Sequence, residues 1–95
     1  MSVLFIANST IDDPGLLDEY MQAAGATLGI VPLQVLAIDA ECTTIEGEPA
    51  GPRTVILKFE SEEDFRTWYD SPEYQAIVGK RLAATTGSAI LVKAL

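Results

Sequence analysis

Arg53-Thr-Val-Ile-Leu-Lys-Phe59 runs through Glu60 into Ser61-Glu-Glu-Asp64, and then into Phe65-Arg-Thr-Trp68-Tyr69-Asp-Ser71-Pro72-Glu-Tyr74-Gln75. In the first segment Val55, Leu57 and Phe59 alternate with Thr54, Ile56 and Lys58, the period of two that gives a strand two distinct faces. Ser61 with an acid three residues later is a capping-box pattern, and the carboxylates of Glu62, Glu63 and Asp64 suit the positive end of a helix dipole. A helix is expected from Ser61, with Phe65, Trp68 and Tyr69 on one aromatic face. Ser71-Pro72 then repeats the start signal, because serine caps well and proline at the first helical position gives up an N–H that has no helical partner there. The helical region is therefore broken and restarted. Tyr74, Ile77, Val78, Arg81 and Leu82 carry its period onward, and Gly87 is expected to stop it.

Working outward, Leu33 to Ala40 reads as a strand, and the polar stretch from Glu41 to Pro52, rich in glycine and proline, reads as a long hairpin connection. Asp13-Pro14 marks the start of an earlier helix. Leu17, Tyr20, Met21, Ala24 and Leu28 form its apolar stripe, and Gly29 is its expected end. Ser2 to Ala7 is an apolar run closed by the turn-prone Asn8-Ser9-Thr10, and Ala89 to Leu95 is a second such run. The order strand, helix, strand, strand, helix, strand is the split βαβ arrangement of ferredoxin-like domains. The expected class is α+β, a βαββαβ chain whose two helices cover one face of a four-stranded antiparallel sheet. The strands are nonetheless apolar on both faces: Leu4 and Ile6 alternate with Val3 and Phe5, Ile90 and Val92 with Leu91, and Leu36 and Ile38 with Leu33 and Val35. A monomer would leave one set exposed, so pairing with a second copy through the open sheet faces is expected.

The whole composition fits one domain over residues 1 to 95. A chain of 95 residues buries roughly 60–70% of its unfolded surface, which leaves no material for a second core. Hydrophobic residues are 48% of the chain and charged residues 21%, the balance of a packed globule. Fourteen acidic residues against six basic ones give a formal net charge of −8. Such a field repels nucleic-acid phosphates and anionic lipid, and the scattered cations form no basic stripe, so neither nucleic acid nor membrane is an expected partner. The single cysteine, Cys42, forms no disulfide within the chain and suits a reducing compartment. The apolar run near the N-terminus is too short for an export signal, and cytoplasmic residence is the expectation.

The segment from Arg53 to Phe59, the Trp68-Tyr69-Asp70-Ser71-Pro72-Glu73-Tyr74-Gln75 block and Arg81 together resemble the DUF1330 family. The resemblance spans Glu46-Gly47 to about Val92, and Tyr20 occupies a family-like position in the first helix. It implies membership of the dimeric α/β-barrel group, which also holds antibiotic-biosynthesis monooxygenases and muconolactone isomerases. Many members carry a histidine-glycine-glycine-arginine stretch between the first helix and second strand, where this chain reads Thr27-Leu-Gly-Ile-Val-Pro-Leu33. The family resemblance implies a fold and supplies no reaction.

No histidine is present, which removes the usual neutral-pH base and the commonest transition-metal ligand. No phosphate-binding glycine loop, nucleophile elbow or Cys-x-x-Cys pair occurs either. No cofactor and no metal are expected. The acids of the loop match no calcium-binding spacing and read as a solvated face, which also makes Cys42 an unpromising nucleophile. Arg53 has two readings: a fork for a ligand carboxylate with Glu46 across the pocket mouth, or an ion pair with Glu46 or Glu48 that fixes the hairpin. Trp68, Tyr69 and Tyr74 either line a cavity or form ordinary core, the two tyrosines then bonding backbone around Ser71-Pro72. Arg81 either neutralises a ligand or caps helical carbonyls. The candidate pocket is thus Tyr20, Glu46, Arg53, Trp68, Tyr69, Tyr74 and Arg81, in a homodimeric small-molecule-binding domain. The alternative is a cofactor-independent monooxygenase- or isomerase-like enzyme, in which Glu46 would act as base on a phenolic, lactone or enolisable substrate.

Overall fold

A computed structural model describes residues 1–95. The elements are β1 (Val3–Ile11), α1 (Pro14–Gly25), β2 (Leu33–Asp39), β3 (Arg53–Phe59), α2 (Glu62–Tyr69), α3 (Pro72–Ala84) and β4 (Thr85–Lys93). All four strands form one antiparallel sheet in the order β2-β3-β1-β4. This is the expected α+β ferredoxin-like architecture, with the second helix divided into α2 and α3. The molecule measures 32 × 31 × 16 Å, the depth of one sheet carrying one helical layer.

The three helix starts follow their local chemistry. Asp13 accepts from Leu16 N, Ser61 from Asp64 N and Ser71 from Tyr74 N, with proline at the N-terminus of α1 and of α3. Each cap satisfies an N–H that the helix itself leaves without a partner. The core lies where the helices meet the sheet: Val3, Phe5 and Ala7 of β1, Leu57 and Phe59 of β3, Leu17 and Tyr20 of α1, and the aromatic residues Phe65, Trp68 and Tyr74.

Four local expectations are overturned, three of them by strand pairing. Asn8-Ser9-Thr10 is strand, because β1 is hydrogen-bonded on both sides and its register continues from Ser9 opposite Arg53 to Ile11 opposite Thr85. Gly87 lies inside β4 opposite Ser9, and a Cβ there would sit 2.1 Å from Asn8 O. The glycine therefore permits a close approach of two backbones, and the chain passes from α3 directly into the strand. Helix α1 ends at Gly25, short of Gly29, as Thr27 Oγ1 donates to Ala24 O and Ala26 N to Ala23 O. Finally, a bulge between Val35 and Ala37 breaks strict alternation in β2, so that Val35 pairs with Leu57 and Ile38 with Val55. Both side chains thereby share the helix-facing side, which an unbroken strand would divide between the two faces.

The opposite face of the sheet carries Leu4, Ile6, Ile56, Ile90 and Val92 at matched register. Ile90 and Val92 are exposed, and no helix covers them.

Candidate functional site

The sequence makes a hollow in the helix-to-sheet layer by placing small residues where large ones would close it. Ala7 on β1 and Ala24 and Gly25 at the end of α1 border a cavity of about 170 Å³. Phe5, Leu57 and Trp68 form apolar wall, the exposed Val35 and Ile38 border the β2 side, and Tyr20, Arg53 and Arg81 bring the polar groups. The bulge in β2 is what puts both Val35 and Ile38 there.

Trp68 is fixed from two sides. Its indole Nε1 donates to Thr27 Oγ1 at 3.0 Å, and its ring lies 4.1 Å from that of Tyr74, centroid to centroid. Tyr74 in turn reaches across to α1, where its hydroxyl meets that of Tyr20 at 2.7 Å. Burial pushes the Tyr20 hydroxyl far above the ordinary phenol range, the neighbouring Tyr74 adds to this, and the positive charges of Arg81 and Arg53 act in the opposite direction. Tyr20 is therefore a neutral phenol, able to donate one hydrogen bond.

Arg53 is 4% exposed, and it has no acid beside it. The ion pairs of the protein are Arg66 with Glu62 and Lys80 with Glu19, so the pair between Arg53 and Glu46 or Glu48 does not form. The one acceptor its guanidinium finds is Met21 Sδ, 3.2 Å from Nη2. Burial lowers the Arg53 pKa from its ordinary value, and repulsion from Arg81 lowers it further against the opposing effect of Tyr20. Arg81 lies with its guanidinium carbon 5.9 Å from the centroid of the Phe5 ring, and its Nε is buried without a hydrogen-bond partner. It does not cap α3 through its side chain; its carbonyl instead accepts from the Thr85 hydroxyl at 2.8 Å.

Of the residues singled out in the sequence, Tyr20, Arg53, Trp68 and Arg81 come together around this cavity. Tyr74 stands behind Tyr20, and its own backbone N–H goes to Ser71 Oγ. Tyr69 and Arg81 border a second cavity of about 160 Å³ that shares Ala7 with the first and includes Ser9, whose Oγ is buried without a partner. Glu46 lies apart, in a shallow depression with Asn8, Cys42 and Glu48. The loop that carries it is pinned: Asn8 Nδ2 donates to Gly51 O at 2.8 Å, Thr10 Oγ1 to Ala50 O at 2.9 Å, and Cys42 N to Pro52 O at 2.8 Å. None of residues 41–52 borders the main cavity. Met21, Ala24 and Gly25 border it without having been singled out; the signal was the run of small residues at the end of an otherwise bulky helical stripe. No group of three or more histidine, cysteine, aspartate or glutamate side chains is placed to hold a metal ion.

The sequence profile of a domain of unknown function, DUF1330, matches residues 2–95. The chain belongs to the DUF1330 family. The match extends the likeness seen in the C-terminal half over both α1 and β1. No curated protein matches the sequence. Among solved structures, a protein of unknown function from Rhodopseudomonas palustris superposes with a TM-score of 0.82 at 16% identity, over 99% of this chain and 82% of that one. A dimeric ferredoxin-like protein of unknown function from Thermobifida fusca gives 0.68 at 18% identity, over 100% and 92%. SnoaB, a cofactor-independent oxygenase from Streptomyces nogalater, gives 0.68 at 17% identity, over 99% and 93%. These likenesses establish a shared fold. This DUF1330 domain differs from a plain helix-on-sheet core in the cavity beneath α1, with its two arginines. No helix in it is long and apolar enough to cross a membrane.

Proposed function

We propose that this DUF1330 domain is a homodimeric small-molecule-binding protein whose protomers join through their open sheet faces and whose ligand occupies the cavity under α1. One observation carries the reading: an apolar cavity into which a few polar groups, Tyr20, Arg53 and Arg81, converge. That combination of apolar wall and sparse polar groups is the usual composition of a ligand site. The volume suits a small molecule, since an engineered apolar cavity of about 150 Å³ accommodates benzene.

The dimer rests on the uncovered row of Leu4, Ile6, Ile56, Ile90 and Val92, which forms a continuous apolar band across β3, β1 and β4. Structural relatives described as dimeric share the fold. The lone Cys42 suits a reducing compartment such as the cytoplasm. A base drawn from Glu46 would lie outside this cavity, and that geometry favours binding over carboxylate-assisted enzymatic turnover.

The cavity is tested by filling it. Ala24→Leu places a larger side chain in the hollow, and it is expected to abolish binding of small aromatic and branched aliphatic probes in ligand-observed NMR while the melting temperature holds or rises. Equal binding by the wild type and this variant would locate the ligand elsewhere. For the dimer, sedimentation velocity is expected to show a dimer for the wild type and a monomer for Ile56→Lys; a wild-type monomer at micromolar concentration would remove the interface.

A further inference from the structure

Three groups that border the cavity can donate hydrogen bonds, and the only side-chain acceptor opposite them is a thioether. Arg53 bonds Met21 Sδ alone, and Arg81 Nε bonds nothing. A guanidinium carries five N–H donors and no acceptor, so each of these side chains retains unused donors. The Tyr20–Tyr74 pair has two hydroxyls and one hydrogen bond between them. Tyr74 is wholly buried, and if Tyr20 were the donor, the Tyr74 hydrogen would face no acceptor. Satisfying both groups requires Tyr74 to donate to Tyr20, which frees the Tyr20 hydrogen to turn toward the cavity it borders.

The charge pattern points the same way. The chain is strongly acidic, yet no aspartate or glutamate borders this cavity, and two of its six basic residues do. Arg81 stands near enough to Arg53 to disfavour the Arg53 charge. Two such cations in an apolar surround are costly without a counter-charge, and nothing in the protein supplies one.

We infer, building on the small-molecule-binding reading above, that the cavity is selective for a small apolar carboxylate, its acid group held by Arg53 and Arg81 with a hydrogen bond from Tyr20. The hydrocarbon body then lies against Phe5, Leu57 and Trp68. A carboxylate offers acceptors only, which matches a site that offers donors. A neutral amide of the same shape brings an NH2 group that meets no charged acceptor there, only the weak thioether of Met21.

The test uses matched acid and amide probes, benzoate with benzamide and isovalerate with isovaleramide, titrated calorimetrically into the intact protein at pH 7. The acids are expected to bind at least about tenfold more tightly than their amides, about 1.4 kcal/mol. Arg53→Met and Arg81→Met are each expected to reduce the ratio of acid to amide affinity to less than about threefold. Arg53→Met is also expected to keep or raise the melting temperature without ligand, because it removes a buried charge that has no partner. A fall instead would mark Arg53 as structural and overturn its role. Should Arg53→Met not fold, Arg53→Lys keeps the charge without the fork and is expected to retain part of the preference. Equal binding of acid and amide, or tighter amide binding, overturns the carboxylate proposal and leaves the binding cavity intact. Binding of neither class overturns both.

Discussion

The hydroxyls of Tyr20 on α1 and Tyr74 on α3 meet at 2.7 Å, with the two rings edge to face and their centroids 6.3 Å apart. This is the buried polar tie between the two helices, which also share the exposed Lys80–Glu19 ion pair. Removing one hydroxyl leaves the other buried without its partner, so Tyr20→Phe and Tyr74→Phe are each expected to cost about 1–3 kcal/mol. The double variant removes both groups at once. Its cost is expected to fall below the sum of the singles, and a urea double-mutant cycle gives the coupling directly.

The same pair sets a stability limit at high pH. The pKa of Tyr20 lies above its ordinary value of 10.0 in the folded protein, so the unfolded chain loses this proton first as pH rises. Stability is fully present below about pH 10 and declines above it, with a slope approaching about 1.4 kcal/mol per pH unit for one proton. The lowered pKa of Arg53 acts with the opposite sign, but only where a guanidinium begins to deprotonate. Denaturant midpoints measured from pH 8 to 11 are expected to fall for the wild type and to stay flatter in Tyr20→Phe.

Thr27 holds the indole of Trp68 and closes the end of α1 with one hydroxyl, accepting from Trp68 Nε1 at 3.0 Å and donating to Ala24 O at 2.8 Å. Thr27→Val keeps the shape and removes both bonds, leaving a buried indole N–H unsatisfied. A loss of about 1–3 kcal/mol in urea unfolding is expected, together with altered tryptophan fluorescence. Thr27→Ser retains the hydroxyl and is expected to recover most of the difference.

Two glycines with opposite surroundings give a paired comparison. A Cβ on Gly79 in α3 would meet nothing within 4 Å, and Gly79→Ala is expected to raise stability by about 0.5–1 kcal/mol through helix propensity. Gly87 has no such room, since its Cβ would lie 2.1 Å from Asn8 O and 2.6 Å from Ser9 Cα. Gly87→Ala must push β4 from β1, at an expected cost of about 1–3 kcal/mol or more in thermal or chemical unfolding.

The features readable from the sequence were those decided by near neighbours. Asp13, Ser61 and Ser71 announced their helices because a cap bonds an N–H only three residues away. The alternation of Arg53 to Phe59 was equally visible, as strand period needs no distant partner. Where the outcome turned on another part of the chain, local signals misled. Asn8 has turn chemistry, yet its side chain bonds Gly51, Arg53 and Thr54 from within β1. Nothing near Leu36 in sequence discloses the bulge that turns Ile38 inward. At the site, Tyr20, Arg53, Trp68 and Arg81 were recognisable by type, whereas their convergence, the isolation of Glu46 and the absence of an acid beside Arg53 are properties of the folded chain alone.

The bulge in β2 also has a mechanical consequence. Most walls of the cavity are built into the middle of the sheet or braced by α3, but Val35 and Ile38 belong to an outer strand bonded on one side only. The bulge interrupts even that single ladder between Val35 and Ala37. The container is therefore stiff on three sides and compliant on the fourth, where outward displacement breaks the fewest backbone hydrogen bonds. If the cavity binds as proposed, bending β2 away from α1 is the expected route to admit molecules larger than the resting volume, and the elasticity of one strand would then set the upper size limit.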